Sequence, residues 1–180
     1  MKPKNLKKCK HCKKEFKAIH FNQKYCFDEE CREVWIETEK AKQWVKRKRE
    51  LKQESETVQE LMKKAQKYFN AYIRERDKNK PCISCGKPLV GKYDCGHWYS
   101  SGGHKSVTFN EDNCHGQCVY CNQHLHGNLV NYQIGLTERI GEHKVFELHE
   151  LAHKERKYTR EELRELIELY KKKTKYLKFK

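Results

Sequence analysis

The sequence predicts a mostly helical α+β protein that is held together by metal-binding cysteines rather than by one large apolar core. Hydrophobic residues make up 36% of the 180 residues and charged residues another 36%, which is little core material for this length. Eight of the ten cysteines fall into close pairs, and no glycine or proline occurs between Arg32 and Lys80. The pairs predict small zinc-braced units, and the uninterrupted stretch predicts helix.

Residues 1–33 are predicted to form an N-terminal zinc ribbon. Two cysteine pairs have 13 residues between them: Cys9 and Cys12, then Cys26 and Cys31. Four thiolates at these spacings suit a tetrahedral structural zinc ion. Phe16 and Tyr25 lie between the pairs, where their rings can cover the metal.

Residues 34–80 are predicted to form one long basic helix or a pair of helices, because the segment is rich in Glu, Lys, Gln and Ala. From Val58 to Ile73, apolar residues recur at three- and four-residue steps, so this half should pack against another element. The earlier half has few apolar positions and carries a basic run: Lys46, Arg47, Lys48 and Arg49. That run predicts an exposed basic helix, an arm that follows DNA phosphates, or a frayed segment.

Residues 81–141 are predicted to form a second zinc-stabilised core, which Pro81 separates from the preceding helix. This segment contains all nine glycines and two Cys-x2-Cys knuckles with 32 residues between them: Cys82 and Cys85, then Cys118 and Cys121. Together the knuckles supply the four thiolates of a closed zinc site, which leaves the metal no open position for water. Such a site is structural, so any chemistry must lie beside it.

Helices are predicted for the rest of the chain. Helical spacing on both sides of Gly141 indicates two helices interrupted by that glycine. In the C-terminal segment, residues 142–180, the pattern Thr159-x-x-Glu162 matches a capping box and opens a last helix. That helix ends in a basic tail, since six lysines and no acidic residue follow Tyr170.

The charge balance indicates a polyanionic partner. The chain has 40 basic and 25 acidic residues, a net charge of +15, and residues 1–80 hold 24 basic and 13 acidic side chains. Each Lys or Arg placed on a phosphate releases a condensed counterion and strengthens binding to nucleic acid. Charge alone leaves an anionic membrane and a merely solvated surface open. No apolar signal segment and no run of 18 apolar residues occurs, so we expect a cytoplasmic protein without membrane association.

Four candidates for chemistry lie between the knuckles or directly after them: Asp94, His97, Asn113 and Asn122. If zinc brings the two knuckles together, Asn122 is carried back towards Asp94. A carboxylate and an amide oxygen are hard ligands that suit Mg²⁺, which keeps several waters and leaves room for a phosphate. His126, four residues beyond Asn122, is a possible further ligand, and His124 is another.

This order of motifs resembles the HNH, or ββα-metal, nucleases, some of which brace a hairpin and a short helix with two Cys-x2-Cys pairs. The resemblance implies that His97 is the general base and that Asn113 steadies the intervening loop. It also implies that Asp94 and Asn122 are ligands of a catalytic Mg²⁺ or Mn²⁺. Asp94 lies three residues before the histidine rather than next to it. Phage Holliday-junction resolvases of this class also have an asparagine directly after the last zinc cysteine.

Four segments are similar to the NinG (Rap) recombination proteins of lambdoid phages: AYIRERDKNKPCISCG, DCGHWYSSGG, FNEDNCHGQCVYCNQHLHGNLVNY and ERIG. The similarity covers nearly the whole chain. It implies a phage- or prophage-encoded DNA endonuclease that is selective for branched recombination intermediates such as Holliday junctions and D-loops, with two structural zinc ions. Two symmetrical cuts would suit a homodimer, with the stripe from Val58 to Ile73 or the C-terminal helix as its interface. Alternatively, the same stripe covers the zinc domain within one chain.

A second interpretation is a non-catalytic zinc-ribbon protein that binds nucleic acid as an accessory factor. It explains the zinc sites and the charge, but not the polar residues between the knuckles. A homing or restriction nuclease would share the same core, but no large recognition domain is present. Lys105 and Arg139 are candidate phosphate contacts or solvated cations. Cys95 and Cys114 are interpreted as buried thiols or further metal ligands, and His97 as a base, a packed histidine or a ligand.

Overall fold

The computed structural model describes residues 5–179, which belong to two compact units. The first unit ends at Glu56 and the second begins at Thr57. Within the described part, five α-helices and two two-stranded sheets confirm the predicted mostly helical α+β class. Across residues 5–179, none of the helices combines the length and the apolar character that crossing a membrane requires.

The first unit consists of a small hairpin and one long helix. Strands β1 (Leu6–Lys8) and β2 (Glu15–Lys17) pair antiparallel, and helix α1 runs over Glu29–Ser55. Among the residues of α1, Cys31 is the one that is buried. Residues 46–49 are helical and exposed. The basic run is therefore an exposed helix rather than a frayed segment, and its contact with DNA phosphates stays a prediction.

Helices α2 (Val58–Asp77) and α5 (Arg160–Lys178) belong to the second unit, and both begin with a capping box. In each box a threonine hydroxyl accepts a hydrogen bond from the N–H three residues later, and a glutamate accepts one from the threonine N–H. The box at Thr159 confirms the predicted start of the last helix. The sequence predicts one long helix or a pair of helices for residues 34–80. The pair is confirmed, because α1 ends at Ser55 and the box at Thr57 starts α2.

The apolar faces of α2 and α5 pack against each other. Phe69 of α2 meets Tyr170 of α5 edge to face, with ring centroids 4.9 Å apart. The buried residues of this first core are Leu61, Ala65, Phe69, Tyr72, Ile73, Cys95, Phe109, Cys114, Leu163, Ile167 and Tyr170. The stripe that ends at Ile73 is therefore covered within the chain. Neither this stripe nor the buried face of α5 is left free to form the predicted dimer interface.

Strands β3 (Tyr93–His97) and β4 (Cys114–Cys118) form an antiparallel hairpin between two apolar cores. One face of the hairpin contributes Cys95 and Cys114 to the first core. On the other face, the hydroxyl of Tyr132 donates a hydrogen bond to the β3 backbone at 3.0 Å. A two-stranded ribbon has little stability alone, so packing on both faces is what holds it.

Helices α3 (Leu129–Ile140) and α4 (Glu142–Ala152) form the second core. Gly141 separates them with a φ of 85°, a conformation that favours glycine, so the predicted interruption is confirmed. The buried residues of this core are Ile83, Val107, Tyr132, Leu136, Val145, Leu148 and Ala152. A Cβ on Gly135 would lie 2.0 Å from the carbonyl oxygen of Ile83. The missing side chain thus lets α3 approach the first knuckle closely.

Candidate metal-binding site

Four cysteine thiols of the second unit lie close enough to share one metal ion: Cys82, Cys85, Cys118 and Cys121. Their sulphur atoms all lie within 4.8 Å of one another, and those of Cys85 and Cys118 are 3.9 Å apart. A tetrahedral zinc ion with Zn–S bonds of about 2.3 Å holds its sulphurs about 3.8 Å apart. The predicted cluster can therefore hold zinc.

Neighbouring N–H groups point at these sulphurs. The backbone N–H of Cys118 lies 3.4 Å from the Cys82 sulphur, and the Asn128 amide lies 3.6 Å from the Cys121 sulphur. Burial raises the pKa of Cys121 to about 12. At Cys82, burial also raises the pKa, but backbone N–H groups outweigh it and lower the pKa overall. Four thiolates this close repel one another, so a divalent cation is what stabilises the fully ionised cluster.

The first unit holds a matching cluster: Cys9, Cys12, Cys26 and Cys31. The sulphurs of Cys12 and Cys26 are 3.7 Å apart, and the N–H of Cys26 lies 3.3 Å from the Cys9 sulphur. Phe16 and Tyr25 pack against the cluster, as the sequence predicts. Both predicted sets of four cysteines can therefore hold zinc, one set in each unit.

Asp94 and Asn122, 28 residues apart in the sequence, lie in contact in the second unit. Asp94 is on β3, and Asn122 follows Cys121 in the π-helical turn Tyr120–His124. The Asn122 amide donates a hydrogen bond to Asp94 Oδ2 at 3.0 Å. The Gln123 amide donates to the same oxygen at 2.7 Å. The structure thus brings together the two residues predicted as cation ligands, and it adds Gln123, which sequence reasoning missed.

His97 lies on the opposite face of β3 from Asp94, because successive strand residues point to opposite faces. It shares its face with Cys95, and Cys114 is its partner across the hairpin. The ligand atoms of these three residues all lie within 4.8 Å of one another. His97 Nε2 lies 3.0 Å from the Gln66 amide nitrogen, and Nδ1 lies 3.3 Å from the carbonyl oxygen of Cys95. Burial lowers the pKa of His97, which favours the neutral imidazole.

Asn113 ties down the loop between the two hairpin strands. Its amide nitrogen donates hydrogen bonds to the carbonyl oxygens of Tyr99 at 2.9 Å and Val107 at 3.1 Å. Its Oδ1 accepts one from the N–H of Tyr99 at 2.8 Å. The side chain is fully buried, so its removal would leave these backbone groups without their partner inside the protein.

The candidate histidine ligands after the second knuckle are both exposed. The π-helical turn ends at His124, and His126 follows with a φ of 49°. His126 is therefore outside the turn that carries Asn122 and does not share a helical face with it. The helical relation on which the His126 prediction depended is absent from this part of the chain.

The candidate phosphate contacts differ in their exposure. Lys105 and residues 46–49 are exposed, so their charges are accessible to a polyanion. The guanidinium of Arg139 instead donates a hydrogen bond to the carbonyl oxygen of Pro81 at 3.1 Å, and its side chain is 17% exposed. Arg139 is thus largely engaged in contacts within the chain.

A buried carboxylate that sequence reasoning missed supports the outer edge of β4. Asp77, the last residue of α2, accepts hydrogen bonds from the N–H of Gly116 at 2.9 Å and from Arg76 Nη2 at 2.8 Å. The carbonyl oxygen of Gly116 accepts a further bond from the N–H of Ile83. Burial raises the pKa of Asp77, but His115, Arg76 and the Gly116 N–H outweigh burial and hold this pKa well below its usual value.

The charge of Asp77 is expected to stabilise the second unit. Asp77→Asn should lower the free energy of unfolding by about 3–5 kcal/mol, since it leaves a mostly buried Arg76 without its carboxylate partner. Because the pKa is lower in the folded than in the unfolded state, the stabilisation is present above the usual pKa of 3.8 and is lost as the pH falls through the folded pKa. Urea denaturation of both proteins between about pH 8 and 3 measures this difference.

Asp112→Asn is the matched control for this substitution. The Asp112 carboxylate lies 3.8 Å from the ammonium group of Lys144, and its side chain is 42% exposed. Its neutralisation should change the free energy of unfolding by less than about 0.5 kcal/mol. Equal losses for the two variants, or a difference that does not narrow in acid, would show that Asp77 has no special role.

Comparisons with known proteins place the chain among phage proteins. The family model described as Bacteriophage Lambda NinG protein matches residues 1–179. Protein ninG of Escherichia phage 933W is 37% identical over 193 residues, which cover 96% of this chain and 94% of that protein. Protein ninG of Escherichia phage lambda is 44% identical over 117 residues, or 65% of this chain and 57% of that protein. No solved structure matches the chain.

Proposed function

Since this chain belongs to the NinG family of bacteriophage proteins, we propose that it is a metal-dependent DNA endonuclease that cuts branched recombination intermediates. The observation that carries the proposal is the contact between Asp94 and Asn122, held beside a cysteine cluster that can bind zinc. The proposed fold of this region is an HNH-like core, with β3 and β4 as its hairpin and the π-helical turn as its ligand-bearing element. Such an enzyme would act in the cytoplasm of the bacterial host.

The donor set at Asp94 fits a hard divalent cation. Carboxylate and amide oxygens are ligands that Mg²⁺ and Mn²⁺ accept. The amides of Asn122 and Gln123 both turn a nitrogen towards Asp94. A half-turn of the Asn122 amide exchanges its nitrogen and oxygen at almost no change in shape. Asp94 is half-buried and Gln123 is exposed, so a DNA phosphate has access to the group.

In the proposed reaction, Mg²⁺ or Mn²⁺ would polarise a phosphate oxygen and stabilise the departing oxygen. Asp94 provides the charge that holds the cation, and Asn122 provides a neutral oxygen. His97 takes a proton from the attacking water, for which a neutral ring is required. For this step, His97 Nε2 would give up its contact with the Gln66 amide and accept a hydrogen bond from the water instead. Because His97 and Asp94 lie on opposite faces of β3, the role of His97 is supported by the family resemblance alone.

Exposed basic residues would position the DNA. Residues 46–49 of α1 and Lys105 contribute charge that is accessible to phosphates. Each phosphate contact adds roughly one unit to the slope of affinity against salt on a logarithmic scale. On a four-way junction, two copies of the chain would allow two symmetrical cuts. A homodimer in this proposal would have to use a surface other than the α2 stripe and the buried face of α5.

A panel of DNA substrates tests the proposed function. Duplex, flap, three-way and four-way DNA of equal arm sequence are incubated with Mg²⁺ or Mn²⁺. Wild type should cut the branched substrates faster than the duplex. Asn122→Ala should lower the cleavage rate by about 10²-fold or more, because it removes a cation ligand while DNA binding persists. Asn131→Ala, at an exposed asparagine of α3, should leave the rate unchanged.

Two results would contradict this proposal. Equal cutting of plain duplex would remove the selectivity for branched DNA. DNA binding without cutting of any substrate, in either cation, would favour the non-catalytic accessory protein. Gel-shift measurements on the same substrates separate these two cases, since they report binding independently of cleavage.

A further inference from the structure

Two of the ten cysteines lie outside the four-cysteine clusters, and both are buried next to His97. We propose that Cys95, His97 and Cys114 form a third zinc site, and that zinc bound there withdraws His97 from the reaction and so inhibits cleavage. The binding half of this proposal needs no nuclease activity. The inhibitory half rests on the proposed function.

The hairpin register places the three side chains on one face. Cys114 pairs with His97, and Cys95 lies two residues before His97 on the same strand. Their ligand atoms lie within 4.8 Å of one another, the same limit that the two four-cysteine clusters satisfy. Ligand atoms around tetrahedral zinc lie about 3.8 Å apart or less. Side-chain movements of about 1 Å would therefore bring these three ligand atoms to the distances that a bound zinc ion requires.

The ligand chemistry selects zinc over the proposed catalytic cation. Thiolate and imidazole are soft and borderline ligands, which zinc accepts and Mg²⁺ does not. Two thiolates also balance the charge of the ion. The surroundings are apolar, since Cys114 is fully buried and the Phe69 ring centroid lies 6.5 Å from that of His97. An apolar shell strengthens attraction between the ion and its ligands.

Three protein ligands indicate a weaker site than four thiolates would form. Water or the Gln66 amide would be the fourth ligand. The Gln66 amide nitrogen lies 3.0 Å from His97 Nε2, and a half-turn of the amide would bring its oxygen there instead. The third site should therefore fill after the two four-cysteine clusters and empty before them. Such an order suits reversible control. A ring nitrogen bound to zinc has no lone pair with which to take a proton from water.

Metal titration tests the binding half on protein whose two four-cysteine clusters are filled. Wild type should take up one further equivalent of zinc or Co²⁺, with absorption from thiolate-to-cobalt charge transfer. Cys95→Ala/Cys114→Val, which replaces both thiols by apolar groups, should take up none. His143→Ala, at an exposed histidine of α4 outside the cluster, should bind like wild type. Cys95→Ala alone replaces the double variant if urea denaturation shows that the latter is unfolded.

The result that would overturn the third site is wild type without the extra equivalent, or equal uptake by the double variant. This outcome is independent of DNA cleavage. If wild type cuts no DNA, the proposed function fails while the titration still decides the third site.

Cleavage at fixed Mg²⁺ and rising free zinc tests the inhibitory half. Wild-type activity should fall, whereas the double variant should keep its basal rate and require at least about tenfold more zinc for the same inhibition. Displacement of the catalytic cation by zinc would affect both proteins alike. Equal zinc sensitivity of the two proteins would therefore overturn the inhibitory role.

Discussion

Replacing Cys121 with alanine is expected to release zinc from the second unit and to unfold its hairpin region. The substitution leaves three thiolates where a closed site needs four. Structural zinc contributes about 10–16 kcal/mol in small zinc-binding peptides, and an entire domain is stable by only about 5–15 kcal/mol. We therefore expect a loss of at least about 5 kcal/mol in the free energy of unfolding, measured by urea denaturation together with zinc content.

Cys12→Ala is the matched control, because it makes the same change in the cluster of the first unit. It should also release zinc, but the nuclear magnetic resonance signals of the second unit should keep their positions. If Cys121→Ala retains wild-type zinc content and unfolds at the wild-type urea concentration, the cluster does not brace the hairpin.

Replacing His97 with alanine is expected to slow single-turnover cleavage of the preferred branched DNA by about 10²–10⁴, the usual effect of losing a general base. DNA affinity should not change, because the ring is half-buried and contacts the Gln66 amide within the second unit. Quenched-flow cleavage assays and gel shifts measure the two quantities. Added imidazole should restore part of the rate, which a purely structural defect would not allow.

His143→Ala serves as the control, since His143 is an exposed histidine of α4, away from the turn that carries Asn122. Its rate should stay close to that of wild type. If His97→Ala cleaves at a rate within about threefold of wild type, His97 is not the general base, and another group accepts the proton.

The features that the sequence predicts correctly are those with local signals. Cysteine spacing within a knuckle is set by the metal, so both four-cysteine clusters could be named from spacing alone. The capping box at Thr159 and the break at Gly141 are also local, because each depends on a few consecutive residues. The division of the long helical segment carried the same kind of signal. Thr57-x-x-Glu60 is a capping box, and it marks the start of α2.

The contacts that sequence reasoning missed depend on the exact course of the backbone. The Gln123 amide contacts Asp94 from a π-helical turn, Tyr120–His124, rather than from an α-helix. The sequence contains no pattern that predicts a π-helical turn at this place. Asp77 looks like an ordinary charge at the end of a helix. Its burial follows only from the place where β4 docks, which is a long-range contact.

The placement of His97 could have been derived from strand geometry. Residues 95 and 97 share a face of any regular strand, whereas Asp94 and His97 do not. The resemblance to the HNH nucleases instead implies that Asp94 and His97 act around one cation. The structure separates them and places His97 beside two thiols.

The contacts at Gly116 have a consequence for how the protein behaves at high concentration. Its N–H is used by the carboxylate of Asp77 and its carbonyl oxygen by the N–H of Ile83. A foreign strand that adds to a sheet needs such groups free along the outer margin. At Gly116 both backbone groups are already bonded within the chain, so another molecule cannot add a strand there and aggregate through backbone hydrogen bonds.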